Sequence, residues 1–277
     1  MQPLWRKFVF IVKSLNPKCM KPIQKIGLAV FTLGLAFYFS GCYEPWHKIE
    51  GNHNVVTEIR SVPMFHGVSN RGSFDVYIIP SDEYKVVLEA ESNLLPFIRT
   101  GVSGNTLYVE TKDNLRPNYP MKLFVYTNWA DEVKLSGSGS IHCDPMSVDH
   151  LDVQLSGSGY IEMNVDANDV NAELSGSGYF KMYVETNHLG GKISGSGEME
   201  FYGFSNRADL NISGSGSFHA YDLPVNECYA SISGSGNMYV NVNNYLNVNI
   251  SGSGNLYYLG NPAIDSKITG SGSVIHP

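Results

Sequence analysis

Seven copies of Ser-Gly-Ser-Gly start at Ser136, Ser156, Ser175, Ser194, Ser213, Ser233 and Ser251, and a Thr-Gly-Ser-Gly starts at Thr269. The intervals between them are 20, 19, 19, 19, 20, 18 and 18 residues. A motif returning at so steady a period marks an array of stacked units. A flexible Gly/Ser linker would carry the tetrapeptide but no ordered flanks. Here the residue before each copy is Leu135, Leu155, Leu174, Ile193, Ile212, Ile232, Ile250 or Ile268. The sixth position of each repeat is also apolar: Ile141, Ile161, Phe180, Met199, Phe218, Met238, Leu256 and Val274. The apolar ladder excludes the linker.

All these apolar positions share one parity with both glycines, and a strand sends alternate side chains to opposite faces. Read literally, Leu174, Gly176, Gly178, Phe180 and Met182 point inward while Ser175 and Ser177 point out. The glycines would then lie where two walls come too close for a side chain. A bend at positive φ inside the tetrapeptide is the competing placement, and the sequence leaves both open. Each period also contains an Asn/Asp-rich interruption, such as Asp166-Ala-Asn-Asp169, Glu185-Thr-Asn-His188, Ser205-Asn-Arg207 and Asn243-Asn244. Such residues favour turns. A coil of 18–20 residues with two or three short strands is a parallel β-helix, an all-β solenoid. Helical repeats have longer periods, and the leucine-rich pattern is absent.

Only 16% of the 277 residues are charged, with 28 Gly and 17 Tyr, a composition that disfavours a helical bundle. Residues 55–130 lack the tetrapeptide but alternate as strands do in Phe74–Ile79, Lys85–Ala90, Thr106–Glu110 and Lys122–Tyr126. They read as irregular first coils or as a β cap over the open end.

The amino terminus reads as an address. An uncharged run from Ile26 to Phe39 follows Lys21 and Lys25, the layout of a secretory signal and short for a membrane span. Ser40-Gly41-Cys42 comes next and resembles a bacterial lipobox, with Phe39 where Leu is commonest. The implied chemistry is diacylglycerol transfer to the Cys42 sulfur, cleavage before Cys42 and acylation of the new amino group. The signal would start well at Met20-Lys21, leaving residues 1–19 as an early start or a long basic leader. The chain therefore divides into 1–41 leader and signal peptide, 42–54 tether, 55–130 amino-terminal β coils or cap, and 131–277 solenoid.

Residues 1–41 hold six basic residues and no acid, so the remaining 236 carry 13 basic and 26 acidic residues. Phosphate backbones repel such a surface, which speaks against nucleic acid as a partner. Beyond Cys19 and Cys42, the cysteines are Cys143 and Cys228. They fall four coils apart, about 19 Å along the axis at a coil spacing of about 4.8 Å. That exceeds the reach of a disulfide, and two free, buried thiols are expected.

Val68-Ser-Asn-Arg-Gly-Ser-Phe-Asp-Val-Tyr77, the serial tetrapeptides and Leu256-Tyr-Tyr-Leu-Gly-Asn-Pro262 together resemble the head GIN domain family of autotransporter adhesins, Bacteroidetes-type envelope proteins. The resemblance covers nearly all of 55–277. It implies a right-handed β-helix, an exported location and frequent lipoprotein signals. It implies no chemistry, and "adhesin" is itself an inference in the family name.

Motifs for catalysis are missing from the sequence. No phosphate loop, His-Glu-x-x-His or Gly-x-Ser-x-Gly elbow occurs, the eight histidines lack metal-ligand spacing, and the repeats lack the Asp of calcium-binding nonapeptides. No cofactor, metal site or catalytic residue is assigned. Glu162, Glu173, Glu198 and Glu200 read as carboxylates on a solvated strand face rather than as a catalytic pair. Tyr160, Tyr179, Tyr183, Tyr202, Tyr221, Tyr239 and Tyr257 fall at outward or turn positions, where they could stack on a ligand or simply on one another. The resulting expectation is a non-catalytic, lipid-anchored envelope protein, in the outer membrane with its face unresolved, that binds a glycan or protein through the solenoid surface. The alternatives are a periplasmic scaffold and, behind it, a carbohydrate-active enzyme. An ice-binding surface ranks last, because serine lacks the methyl of threonine.

Overall fold

The computed structural model describes residues 48–277; the leader, the signal segment and Cys42 lie outside the described residues. The head of the fold contains β1 (Ile49–Glu50), β2 (Val55–Ser61), β3 (Gly67–Arg71), β4 (Asp75–Pro80), β5 (Lys85–Glu91), β6 (Ile98–Ser103), β7 (Thr106–Thr111), β8 (Leu115–Arg116) and β9 (Lys122–Thr127). The solenoid proper follows as β10 (Glu132–Gly137), β11 (Ser140–Gly157), β12 (Tyr160–Gly176), β13 (Tyr179–Gly195), β14 (Glu198–Gly214), β15 (Ser217–Gly234) and β16 (Asn237–Gly252). It closes with β17 (Asn255–Leu259), β18 (Ala263–Gly270) and β19 (Ser273–Ile275). Among the described residues, no helix is long and apolar enough to cross a membrane.

From β10 onward every pairing is parallel, each coil lying on the one before, and the register is continuous except for bulges after Cys143, Glu200, Ala220 and Val225. This is a parallel β-solenoid. Its strands are longer than the expected two or three short pieces: β12 and β13 each run 17 residues, almost a full coil, and bend without leaving the ladder. The predicted inward columns form the core. Leu155, Ile161, Met163, Phe180, Phe201 and Phe218 are buried, and Cys143 and Cys228 are buried free thiols. Bulk is balanced between coils. Gly191 stands in an inward column, where a Cβ would come within 2.9 Å of the Phe218 ring.

The tetrapeptide's two glycines do different work. The first is the corner: Gly157 has φ +124°, and a Cβ there would lie 2.5 Å from the carbonyl oxygen of Gly137. That carbonyl points along the axis because it accepts from the Ser158 N–H of the next coil at 3.1 Å. The second glycine is inward and buried, so both placements that the sequence left open are realised.

The head is laid down out of axial order. β3 pairs in parallel with both β7 and β10, and β4 with both β9 and β11. The chain thus makes an inner rung first, goes back to lay the β7–β9 rung outside it, then returns to begin β10. β6 runs antiparallel on β7, and β5 runs antiparallel on β9 and β2. Residues 55–130 therefore supply both true coils and an antiparallel cap.

Candidate functional site

After each corner the chain turns two outward columns toward one face. The first runs Ser140, Tyr160, Tyr179, Glu198, Ser217, Asn237, Asn255; the second runs Tyr77, His142, Glu162, Lys181, Glu200, His219, Tyr239, Tyr257. Parallel stacking in register sets like positions one strand spacing apart, so aromatic rings in a column lie against each other. Tyr77 stacks between Phe124 and His142, each ring centroid 5.2 Å away. His142 leans on Tyr160 at 5.6 Å, and Tyr160 stacks on Tyr179 at 5.7 Å. Further along, His219, Tyr239 and Tyr257 form a stack with 5.0 Å between successive centroids, and Tyr221 meets Tyr239 edge-on at 5.6 Å.

Between the two stacks lies a charged step. The Glu200 carboxylate accepts from the Tyr202 hydroxyl at 2.5 Å and from the Tyr179 hydroxyl. Those two donated bonds hold the Glu200 carboxyl below its ordinary value, against a smaller opposing effect of burial. The same bond is the main reason the Tyr202 hydroxyl is pushed up to about 12, whereas Tyr160 reaches about 12 chiefly through burial, with Glu162 adding to it. At neutral pH the phenols are donors and Glu200 is an anion. Lys181 reaches Glu162 at 3.6 Å and lies 5.9 Å from the centre of the Tyr202 ring. Two depressions flank this step. One of about 510 Å³ is bordered by Cys143, Asn164, Lys181, Tyr183 and Tyr202; one of about 380 Å³ by Glu200, Tyr202, His219, Tyr221 and Asp222.

All seven tyrosines singled out from the sequence are on the outside of the coils, half-buried or, at Tyr183, exposed. Sequence reasoning missed Tyr77, Phe124, His142 and His219 as members of the same surface. The register of β4 and β9 beneath β11 brings the first two there, and nothing in their local sequence announces it. Of the four glutamates, Glu162, Glu198 and Glu200 share this face, while Glu173 is on another, paired with Lys192 at 3.4 Å. That other face has a depression of about 360 Å³ over Gly190, beside His188 and Asp209, which are 2.7 Å apart. Among the described residues, no three His, Cys, Asp or Glu side chains converge as a metal would require.

Fold and face together define the protein as a parallel β-solenoid with a long aromatic and carboxylate-bearing surface. The chain belongs to the family described as "Putative auto-transporter adhesin, head GIN domain", whose model matches residues 64–262. Among solved structures, it is 28% identical to a protein of Parabacteroides distasonis described as "Putative lipid binding protein", with a TM-score of 0.79 over 83% of this chain and 100% of that one. An adhesin so described from Parabacteroides merdae shares the fold at 23% identity, TM-score 0.79, over 83% and 99% of the two chains. Another from Bacteroides fragilis shares it at 21% identity, TM-score 0.62, over 82% and 98%. No curated protein matches the chain.

Proposed function

We propose that the protein is an exported binding protein of the cell envelope, tethered by diacylglycerol on Cys42, and that it holds a glycan against the face running from Phe124 to Tyr257. The observation that carries this reading is the succession of half-exposed stacked rings interrupted by the Glu200 step. Flat rings offer apolar area to the carbon faces of a sugar, and adjoining carboxylates accept from its hydroxyls. Adhesion to a host or neighbouring cell is the role such a surface would serve, without catalysis. The lipid binding attributed to the Parabacteroides distasonis relative supports a ligand on the outside of the coils here, because Phe180, Phe201 and Phe218 fill the interior.

The test has two parts. An antibody to the solenoid is applied to intact cells bearing wild-type protein or Cys42→Ala, and the purified chain is screened on immobilised glycans. Surface labelling that Cys42→Ala abolishes, with glycan capture that Tyr239→Ala weakens, supports the reading. Labelling only after permeabilisation, with the chain still membrane-bound, would point instead to a periplasmic scaffold.

A further inference from the structure

The two ends of the solenoid are finished differently. At the head, the β7–β9 rung is covered by the antiparallel strands β5 and β6. At the tail, β18 pairs with β16 on one side and, among the described residues, with no strand on the other. Its side chains continue the solenoid's columns. Ile264 and Ile268 extend the inward columns of Leu246 and Ile250, which are fully buried, yet they are themselves 42% and 41% exposed. Ser266, between them, continues a column held by Val248, Ala230 and Leu210 in the three coils before. Asp265 and Lys267 point outward over Asn247 and Asn249.

We propose that this edge pairs with β18 of a second copy of the chain, antiparallel, about a twofold axis through Ser266. The sequence Ile264-Asp-Ser-Lys-Ile268 is self-complementary in that arrangement. Ile264 of each copy faces Ile268 of the other, and Asp265 faces Lys267, so each apolar pair and each charge pair occurs twice. Neighbouring registers are selected against. A slip by two residues in one direction sets Asp265 against Asp265, and in the other Lys267 against Lys267; like charges directly opposed across strands are destabilising. A slip by one residue sets inward positions against outward ones. An open edge with exposed apolar residues is a ready template for strand addition, and a twofold contact consumes the edge of both copies and closes the assembly. Residue 48 enters at the head, through the β1–β8 bridge. A pair joined at β18 would therefore carry its two amino ends at opposite ends of the assembly.

The full chain, in density-matched detergent, is examined by sedimentation velocity over a concentration series. Wild type is expected to dimerise, and Asp265→Lys or Lys267→Asp each to raise the dissociation constant about tenfold, because every reversal is met twice across the axis. The double exchange Asp265→Lys with Lys267→Asp should restore the dimer, which no folding defect would do. Ser266→Cys should form an oxidised dimer, since directly opposed Cα atoms of antiparallel strands lie about 4.5–5.5 Å apart. Ser251→Cys, outward and one coil inside, should not. A monomeric wild type, a dimer indifferent to both reversals, or equal cross-linking from the two cysteines would overturn the proposal.

Discussion

Leu155 occupies the space that a side chain on Gly178 would need: its Cδ2 lies 2.6 Å from where the Cβ would stand, and the Gly159 carbonyl oxygen is 2.8 Å away. Gly157, one coil before Gly176, is held at φ +124° with the Gly137 carbonyl oxygen 2.5 Å from where a Cβ would stand. Gly178→Ala must push a core leucine and a backbone carbonyl, and Gly157→Ala must adopt a backbone that L-residues avoid. Each is expected to cost about 1–3 kcal/mol. Ser177→Ala, exposed between them, should stay within about 0.5 kcal/mol of wild type. Urea unfolding midpoints check this; equal midpoints for the three variants would count against the assignment of the corner.

The head contains an acid-sensitive tie at Glu91. Glu91 is buried, which by itself raises a carboxyl, but it accepts from the side chain and N–H of Asn118 and from the N–H of His53, and these carry it below its ordinary value. The bonds tie β5 to two segments far away in sequence. A depressed carboxylate contributes stability that is complete above the unfolded value of about 4.3 and is lost as pH falls through the folded value. Glu91→Gln should therefore lower the melting temperature at pH 7 and flatten its decline below pH 4. A mutant that melts as wild type does across that range would remove Glu91 from this role.

The alternation around each tetrapeptide was enough to place Leu155, Ile161, Met163 and Phe180 inside and the seven tyrosines outside, because register in a solenoid repeats with the period. The two roles of the glycines were not legible. Parity treats Gly176 and Gly178 alike, and a carbonyl of the preceding coil crowds both; the positive φ of Gly176 and the Leu155 side chain against Gly178 separate them. The head was illegible for another reason. β3 and β4 touch β10 and β11, with β5 to β9 intervening in the chain, and no periodicity reports a rung laid out of order. Glu200 looked like a solvated carboxylate because its first phenol, Tyr179, comes from the neighbouring coil.

Stacking also converts the predicted turn residues into a ladder. Asn187 donates to Asn168, Asn206 to Asn187 at 2.9 Å, Asn226 to Asn206 at 2.8 Å and Asn243 to Asn226 at 3.2 Å, each through side-chain amides. Asn206→Ala removes a bond on both sides, whereas Asn168→Ala removes one at the end of the row. The first should cost about 1–2 kcal/mol and the second about half as much. Denaturation of both variants measures the ratio; an Asn168→Ala chain less stable than Asn206→Ala would contradict the ladder's continuity.

Burial pushes the thiols of Cys143 and Cys228 up to about 12, with Asp144 and Asp209 adding to it. At pH 8 the reactive thiolate is then about one part in ten thousand. Neither cysteine should be alkylated by iodoacetamide in the folded protein, and both should be after unfolding, with sites mapped by peptide mass. Rapid native labelling of Cys228 would mean that the β15 core opens far more readily than its packing implies.

Tyr239 has the most ring neighbours on the aromatic face, lying between His219 and Tyr257 with Tyr221 against its edge. Its truncation should remove contact area that a planar ligand shares with the whole stack. With the tightest-binding oligosaccharide from the glycan screen, Tyr239→Ala is expected to weaken binding by about tenfold, and Tyr239→Phe, which keeps the ring, by less than about threefold. Tyr229 provides the comparison. It lies on another face with Arg207 4.2 Å from its ring centre, so Tyr229→Ala should leave affinity unchanged. Tyr239→Ala loses three ring contacts and Tyr229→Ala one ring contact and the Arg207 contact, each worth about 0.2–1 kcal/mol, so both are compared well below their melting temperatures, where affinity separates them. Calorimetric titration decides it: equal losses of affinity at Tyr229 and Tyr239 would detach ligand binding from this face.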